Sequence, residues 1–285
     1  MTYSGEVRPV RVSQVLADLS DRMNETGIPS AVLDTELLVA HALCTDRHRL
    51  RVGGDRELTP EEERLIGRLA KRRLQFEPVA YILGSKEFYS LDFTVNRNVL
   101  IPRPETELLV DMAVYYARLN SSVADIGTGS GAIAVALKHE RPDLDVHATD
   151  ISAKALAVAR KNATRLLGKN RIRFHRGSLF EPLSGLRFQV IAVNPPYVDR
   201  KTAGSLQPDL RYEPESALFA GRGGREVVER VIQKSGRFLS DGGVLIMEIG
   251  DDMKEFVKKT GTASGFSVSV LNDYSGLPRV AVMKM

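Results

Sequence analysis

The stretch VADIGTGSGAIAVAL, residues 123–137, constrains the fold more than any other part of this 285-residue chain. An apolar strand runs into a glycine-rich turn and then an apolar helix. Gly127, Gly129 and Gly131 have no Cβ, so the backbone there can turn sharply and approach a ligand closely. From residue 102 onward the same alternation continues. VADI, VHATD, IRFHRG, FQVIAVN, GGVLIMEIG, FSVSVL and RVAVMKM are expected strands, with helices near residues 104–118, 131–140, 152–166, 224–239 and 251–261. The pattern predicts a doubly wound α/β sheet. The last two strands follow each other with no helix between them, so an antiparallel hairpin is expected to end the sheet.

The first 84 residues read differently. In VSQVLADLSDRM the apolar positions Val12, Val15, Leu16, Leu19 and Met23 recur at helical spacing, and DTELLVAHAL continues the pattern. TPEEERLIGRLAKRRL opens with Thr59 as N-cap, Pro60 at the first helical position and Glu62 closing a capping box. Leu65, Ile66 and Leu69 follow on its buried face. The run Lys71, Arg72, Arg73 near its end reads either as a solvated helix terminus favoured by the macrodipole or as a contact for a protein or RNA partner. Residues 85–101, SKEFYSLDFTVNRNVLI, suit a short hairpin and the linker between a helical domain (1–84) and an α/β domain (102–285).

Charge and cysteine content narrow the class. Residues 1–84 carry 12 Lys and Arg against 13 Asp and Glu, and the rest carries 28 against 23, a diffuse excess unlike the basic stripe of a DNA-binding surface. The single Cys44 excludes an internal disulfide and reads as a small core residue on a helix. One Cys and five scattered His give no metal-ligand spacing, so no metal is expected. No apolar run is long enough to span a membrane, and MTYSGEVRPV lacks a secretory h-region, which points to the cytosol.

Two acids refine the glycine turn. Asp125 lies inside the first strand, where a structural residue would be apolar, and leans toward a positively charged cofactor without a pyrophosphate. Asp150 ends the second strand, where a carboxylate can hold ribose hydroxyls; the alternative is an N-cap for the following helix. Ser178 and Leu179 occupy the turn after the third strand, with Leu179 placed either to pack on a base or to join the core. In IAVNPPYVDR the strand must stop at Asn194, because Pro195 and Pro196 cannot sit in a central ladder. That strand is expected beside the first, so Asn194 opens into the same crevice. Its amide and a proline carbonyl offer two acceptors for a planar NH₂, and Tyr197 offers a flat, exposed surface. Such an arrangement would orient a weakly nucleophilic nitrogen by proximity and preorganised polarity rather than by a strong base.

Asn-Pro-Pro-Tyr is shared by S-adenosylmethionine-dependent methyltransferases that act on adenine N6, cytosine N4, guanine N2 and glutamine N5. With EPVAYILGSKEFYSLDF, VLIPRPETELLV, EPESALFAGRGG, MEIG and DYSGLPRV, the chain resembles the HemK/PrmC family over nearly its whole length. That family methylates the glutamine of the Gly-Gly-Gln motif in class 1 peptide chain release factors. The resemblance implies a Rossmann-like class I methyltransferase domain behind a helical substrate-recognition domain, acting as a monomer on a release factor without stable nucleic acid. It implies that Thr106, Asp125, Ile126, Gly127, Thr128, Gly129, Asp150, Leu179 and Asn194 bind S-adenosylmethionine. Asn194, Pro195, Pro196 and Tyr197 would hold the glutamine and carry catalysis. For Thr106 the other reading is a helix-start cap. Ser178, Leu179, Gly223 and Met253 depart from residues frequent in the family. The rival readings are an amino-methyltransferase of adenine or guanine in nucleic acid, a nicotinamide-dependent oxidoreductase and a silent cofactor- or partner-binding module. The near-neutral helical domain speaks against the first, and the second leaves Asn-Pro-Pro-Tyr without a task.

Overall fold

A computed structural model describes residues 10–169, 171–220 and 224–285; the segment MTYSGEVRP and Gly223 lie outside them. The chain divides into two compact units, Met1–Gly84 and Ser85–Met285.

The first unit holds α1 (Val12–Glu25), α2 (Ala31–Ala42), α3 (Arg47–Val52), α4 (Pro60–Arg73) and α5 (Val79–Leu83). Its core is made by Val12, Leu19, Met23, Leu38, Val39, Ile66 and Leu69 among others, the apolar faces read from the spacing. The capping box at the start of α4 forms: Glu62 N donates to Thr59 Oγ1, and Thr59 N donates to Glu62 Oε2 at 2.9 Å. Two expectations fail here. Arg72 and Arg73 are not a solvated run, nor are they held out for a partner. Arg73 is buried and donates to Asp34 on α2 at 2.7 Å, and Arg72 binds both oxygens of Glu77. A buried charge is tolerated only when paired, and these pairs fasten the end of α4 inside its own unit. Cys44 is an exposed turn residue rather than a helical core residue. It takes the left-handed conformation, φ 48°, just past α2. There Cys44 N donates to His41 O and Thr45 N donates to Ala40 O, the bond pair of a Schellman stop.

The second unit opens with an antiparallel hairpin, β1 (Ser85–Phe88) and β2 (Leu91–Thr94). The segment read as a linker thus clusters with the α/β unit. It is tied there by Asn162: the buried amide exchanges hydrogen bonds with Thr94 N and O and also donates to Ser130 O behind the glycine turn, all at 2.9 Å. A 3₁₀ turn (Pro104–Thr106) leads into α6 (Glu107–Tyr116). There follow β3 (Ser122–Ile126), α7 (Ala132–Glu140), β4 (Asp145–Asp150), α8 (Ala153–Leu167), β5 (Arg173–Arg176) and β6 (Phe188–Val193). After these come the single-turn α9 (Glu215–Leu218), α10 (Glu226–Ser235), β7 (Leu239–Glu248), α11 (Lys254–Ala263), β8 (Ser267–Asn272) and β9 (Pro278–Lys284).

The expected doubly wound sheet is present, ordered β5-β4-β3-β6-β7-β9-β8. Its first five strands are parallel and β9 is antiparallel to both neighbours. The chain reverses direction across the sheet between β3 and β6, and their carboxyl ends form the crevice in which such sheets bind ligands. Both faces are covered, so β6 is buried along its whole length and reads as a continuous apolar run rather than an alternating one.

Candidate active site

Strand register assembles the site before any side chain is considered. Ile126 of β3 pairs with Thr149 of β4 and with Val193 of β6, and Val193 pairs with Met247 of β7. The next residue along each strand is Gly127, Asp150, Asn194 and Glu248. One row across four parallel strands therefore carries the glycine turn, two acids and the amide.

A cavity of about 330 Å³ lies over this row, within the range of small-molecule sites. Of the residues singled out from the sequence, Ile126, Gly127, Gly129, Asp150, Leu179, Asn194, Pro195 and Pro196 line it. Gly127 and Gly129 have φ of 76° and 56°, and a Cβ on Gly127 would meet nothing within 4 Å; the turn is conformationally demanding and open toward a ligand. Asp150 accepts Gly129 N at 2.9 Å and Ser152 N at 2.8 Å. The N-cap of α8 is Ser152, whose hydroxyl accepts Ala155 N, so Asp150 is left free of that task. Leu179 lines the cavity with φ 49°, a left-handed conformation that costs a non-glycine residue on the order of 1 kcal/mol.

Four of the residues singled out stand behind the lining. Asp125 is fully buried and accepts Thr128 Oγ1 at 2.6 Å and Ala134 N at 3.1 Å, so it braces the turn from beneath together with Thr128. Burial pushes its carboxyl up to about 7, against these two hydrogen bonds. Tyr197 is half-buried, packed against Gly250 and the core of the sheet, and its hydroxyl donates to Glu248 Oε1 at 3.3 Å. The exposed aromatic surface expected there is absent, because the two prolines return the ring toward β7. Thr106 caps no helix through its side chain. Its buried hydroxyl donates to Glu248 Oε2 at 2.6 Å and accepts Asn194 Nδ2 at 3.2 Å.

Glu248 is the residue sequence reasoning missed. It is 1% exposed at the end of β7, and burial raises its pKa. An acid closing the apolar run GGVLIMEIG is the same signal that marked Asp125 and Asp150. The cavity also takes in Ser178 beside Leu179, Thr149 of β4, Val99 and Phe219 from two of the quoted segments, and Arg230 of α10. Arg103 and Ile101 N both bind the buried Glu213, which joins IPRPETE to EPESALF. Met253, one of the departures from the family pattern, is buried at the start of α11.

The residues fit an adenosine-bearing cation. Asp125 Oδ1 and Thr149 Oγ1 are buried with no hydrogen-bond partner among the described residues, which is costly unless a ligand compensates. Asp150 lines the crevice with Asp125 buried behind it, and the glycine turn leaves room for a ligand to lie close to the backbone.

Comparison with known proteins agrees. Residues 14–84 match the family described as PrmC N-terminal domain, and residues 104–210 match the methyltransferase small domain. The chain is 39% identical over 282 residues to a release factor glutamine methyltransferase of Geobacter sulfurreducens, covering 98% of each. It is 42% identical over 255 residues to one of Neisseria gonorrhoeae, covering 88% of this chain and 93% of that one. The structure of a methyltransferase from Pyrococcus furiosus, 20% identical, superposes with a TM-score of 0.52 over 75% of this chain and 95% of that one, a likeness of fold.

Proposed function

The chain belongs to the release factor glutamine methyltransferase family, and from that premise we propose how its residues divide the work. The enzyme is an S-adenosylmethionine-dependent protein-glutamine methyltransferase. When bound, S-adenosylmethionine supplies a methyl group activated by a sulfonium. Ile126, Gly127, Gly129, Asp150 and Leu179 hold the cofactor, with Asp150 accepting from ribose hydroxyls and Asp125 and Thr128 bracing the turn from behind the lining; Thr106 acts through Asn194. Asn194 Oδ1 and the Pro195 carbonyl accept the two N–H groups of the glutamine side chain in the Gly-Gly-Gln motif of a class 1 release factor. Held this way, the amide nitrogen would present its lone pair to the methyl; the N–C bond would form as the methyl–sulfur bond breaks to leave a neutral thioether, and one N–H proton would pass to solvent. Preorganised acceptors carry the catalysis.

The observation that supports this reading best is the orientation of Asn194: its NH₂ is occupied by Thr106, which leaves the acceptor oxygen for the substrate. Tyr197 backs the turn through its hydroxyl. The helical unit, near neutral in charge, holds the protein substrate, and the enzyme works as a monomer in the cytoplasm with no nucleic acid bound. Among the described residues no helix is long and apolar enough to cross a membrane.

The test is transfer of labelled methyl from S-adenosylmethionine to a class 1 release factor, to the same factor with the Gly-Gly-Gln glutamine replaced, and to DNA and RNA. Label is expected on the first alone. Label that survives loss of the glutamine, or appears only on nucleic acid, overturns the assignment.

A further inference from the structure

A threonine hydroxyl has one proton to give. In Thr106 that proton goes to Glu248 Oε2 at 2.6 Å, so toward Asn194 the same oxygen can only accept. The group that Asn194 turns to it is therefore the NH₂, at 3.2 Å, and Oδ1 is left for the crevice. Were the Thr106 proton free, either end of the amide could face it, and Asn194 could present donors to a substrate group that is itself all donors. The other carboxylate oxygen of Glu248 takes the Tyr197 hydroxyl. One buried carboxylate thus accepts hydrogen bonds linked to both ends of Asn194–Tyr197.

We propose that Glu248 is a positioning residue for methyl transfer, setting the polarity of the Thr106–Asn194 hydrogen bond so that the Asn194 amide oxygen faces the acceptor NH₂. The inference rests on the amide-methylating reading above. It requires the carboxylate form, which is acceptor-only; a protonated Glu248 could donate to Thr106 and reverse the chain of bonds. Burial raises the Glu248 pKa, while the Thr106 and Tyr197 hydroxyls and the Arg279 guanidinium pull it back down, and Glu105 adds a small opposing push. Arg279, on β9, supplies the balancing charge and is in turn held by Asp273 of the β8–β9 turn at 3.1 Å.

The experiment compares wild type, Glu248→Gln, Thr106→Val, Thr106→Ser and the Glu248→Gln/Thr106→Val double variant. Each is measured for kcat, for the KM of release factor and of S-adenosylmethionine, and for the side-chain NH₂ resonances of Asn194 by NMR in the cofactor-free protein. Glutamine has one acceptor oxygen and cannot serve both hydroxyls. Glu248→Gln and Thr106→Val are each expected to lower kcat roughly 10- to 100-fold, the range of a lost hydrogen bond to a charged group. Both KM values should stay within about threefold, in the pattern of an interaction lost in the transition state. Thr106→Ser should restore most of the rate. The double variant should be no slower than the slower single one, as expected for groups that act as one unit. The acidic limb of the wild-type kcat profile should lie above the ordinary carboxylate range and vanish in Glu248→Gln. Multiplying losses, a Glu248→Gln rate near wild type, or an Asn194 NH₂ pair unmoved by either variant overturns the proposal. If wild type does not methylate a release factor, the functional reading falls instead; the Asn194 resonances need no substrate and still decide the role of Glu248.

Discussion

The two turns that close the crevice are built by opposite means. The one after β3 is made of glycine, offers backbone to the proposed cofactor, and takes its support from side chains behind it, Asp125 beneath and Asn162 at the rear. The one after β6 is made of proline, offers a side-chain amide to the proposed acceptor, and is locked by a hydrogen-bonded chain through Thr106, Glu248 and Tyr197. A cofactor that is the same in every turnover can be recognised by a shape cut into the backbone. An acceptor nitrogen must be oriented in angle as well as place, and that asks for a side chain with a single permitted pose. Substitutions at the first turn should therefore change cofactor binding and stability, and those at the second should change turnover.

The contrast is tested most severely at Asn194. Asn194→Ala should lower kcat by on the order of 10²-fold or more, the loss seen on removing one preorganised polar group, while S-adenosylmethionine still binds in calorimetry. Turnover near wild type would remove Asn194 from the mechanism. At the other turn, Asp150→Ala should weaken S-adenosylmethionine binding by about 10- to 100-fold, since hydrogen bonds to a charged group contribute about 1.5–3 kcal/mol each. Saturating cofactor should then recover most of kcat, which would not happen if Asp150 acted on the acceptor. Gly127→Ala meets no atom within 4 Å, so its cost is the strain of φ 76°. About 1–2 kcal/mol should lower Tm by a few degrees and weaken cofactor binding without changing kcat at saturation.

The smallest effect is one of pH. Because burial raises the folded-state pKa of Asp125 to about 7, the folded protein holds a proton there that the unfolded chain releases near the ordinary carboxylate value. Its contribution to the stability of the cofactor-free protein is therefore complete below that value and fades as pH rises toward about 7. Thermal melts of wild type and Asp125→Asn across this window should diverge in favour of the asparagine variant as pH rises, by on the order of a few degrees. Parallel curves would mean that Asp125 is charged throughout.

The first turn was far more legible in the sequence than the second. Glycine spacing and an acid inside an apolar strand mark VADIGTGSG through local physics, and the α/β repeat follows from periodicity alone. Asn-Pro-Pro-Tyr announced a purposeful strand end, yet its supports could not be read from spacing: Thr106 and Glu248 lie 142 residues apart and meet only because β7 pairs beside β6. The same blindness to long-range pairing explains Arg73, which looked like part of a solvated helix end until α2 brought Asp34 against it. Tyr197 looked exposed because an aromatic after two prolines gives no sign of the direction in which the chain folds back. Cys44 misled for a local reason: where a helix stops depends on which residue accepts the left-handed position, and nothing in the apolar pattern of DTELLVAHALC marks it.

The row formed by Gly127, Asp150, Asn194 and Glu248 also bears on how the enzyme is made. Each of the four arrives on a different strand, and the last is reached only when almost nine-tenths of the chain has been synthesised. Contacts of such sequence separation form late and cooperatively. On the proposed roles, catalytic competence in this molecule reports that β4, β3, β6 and β7 have joined: a nascent or truncated chain ending before β7 carries the visible motifs without the buried acid proposed to orient them.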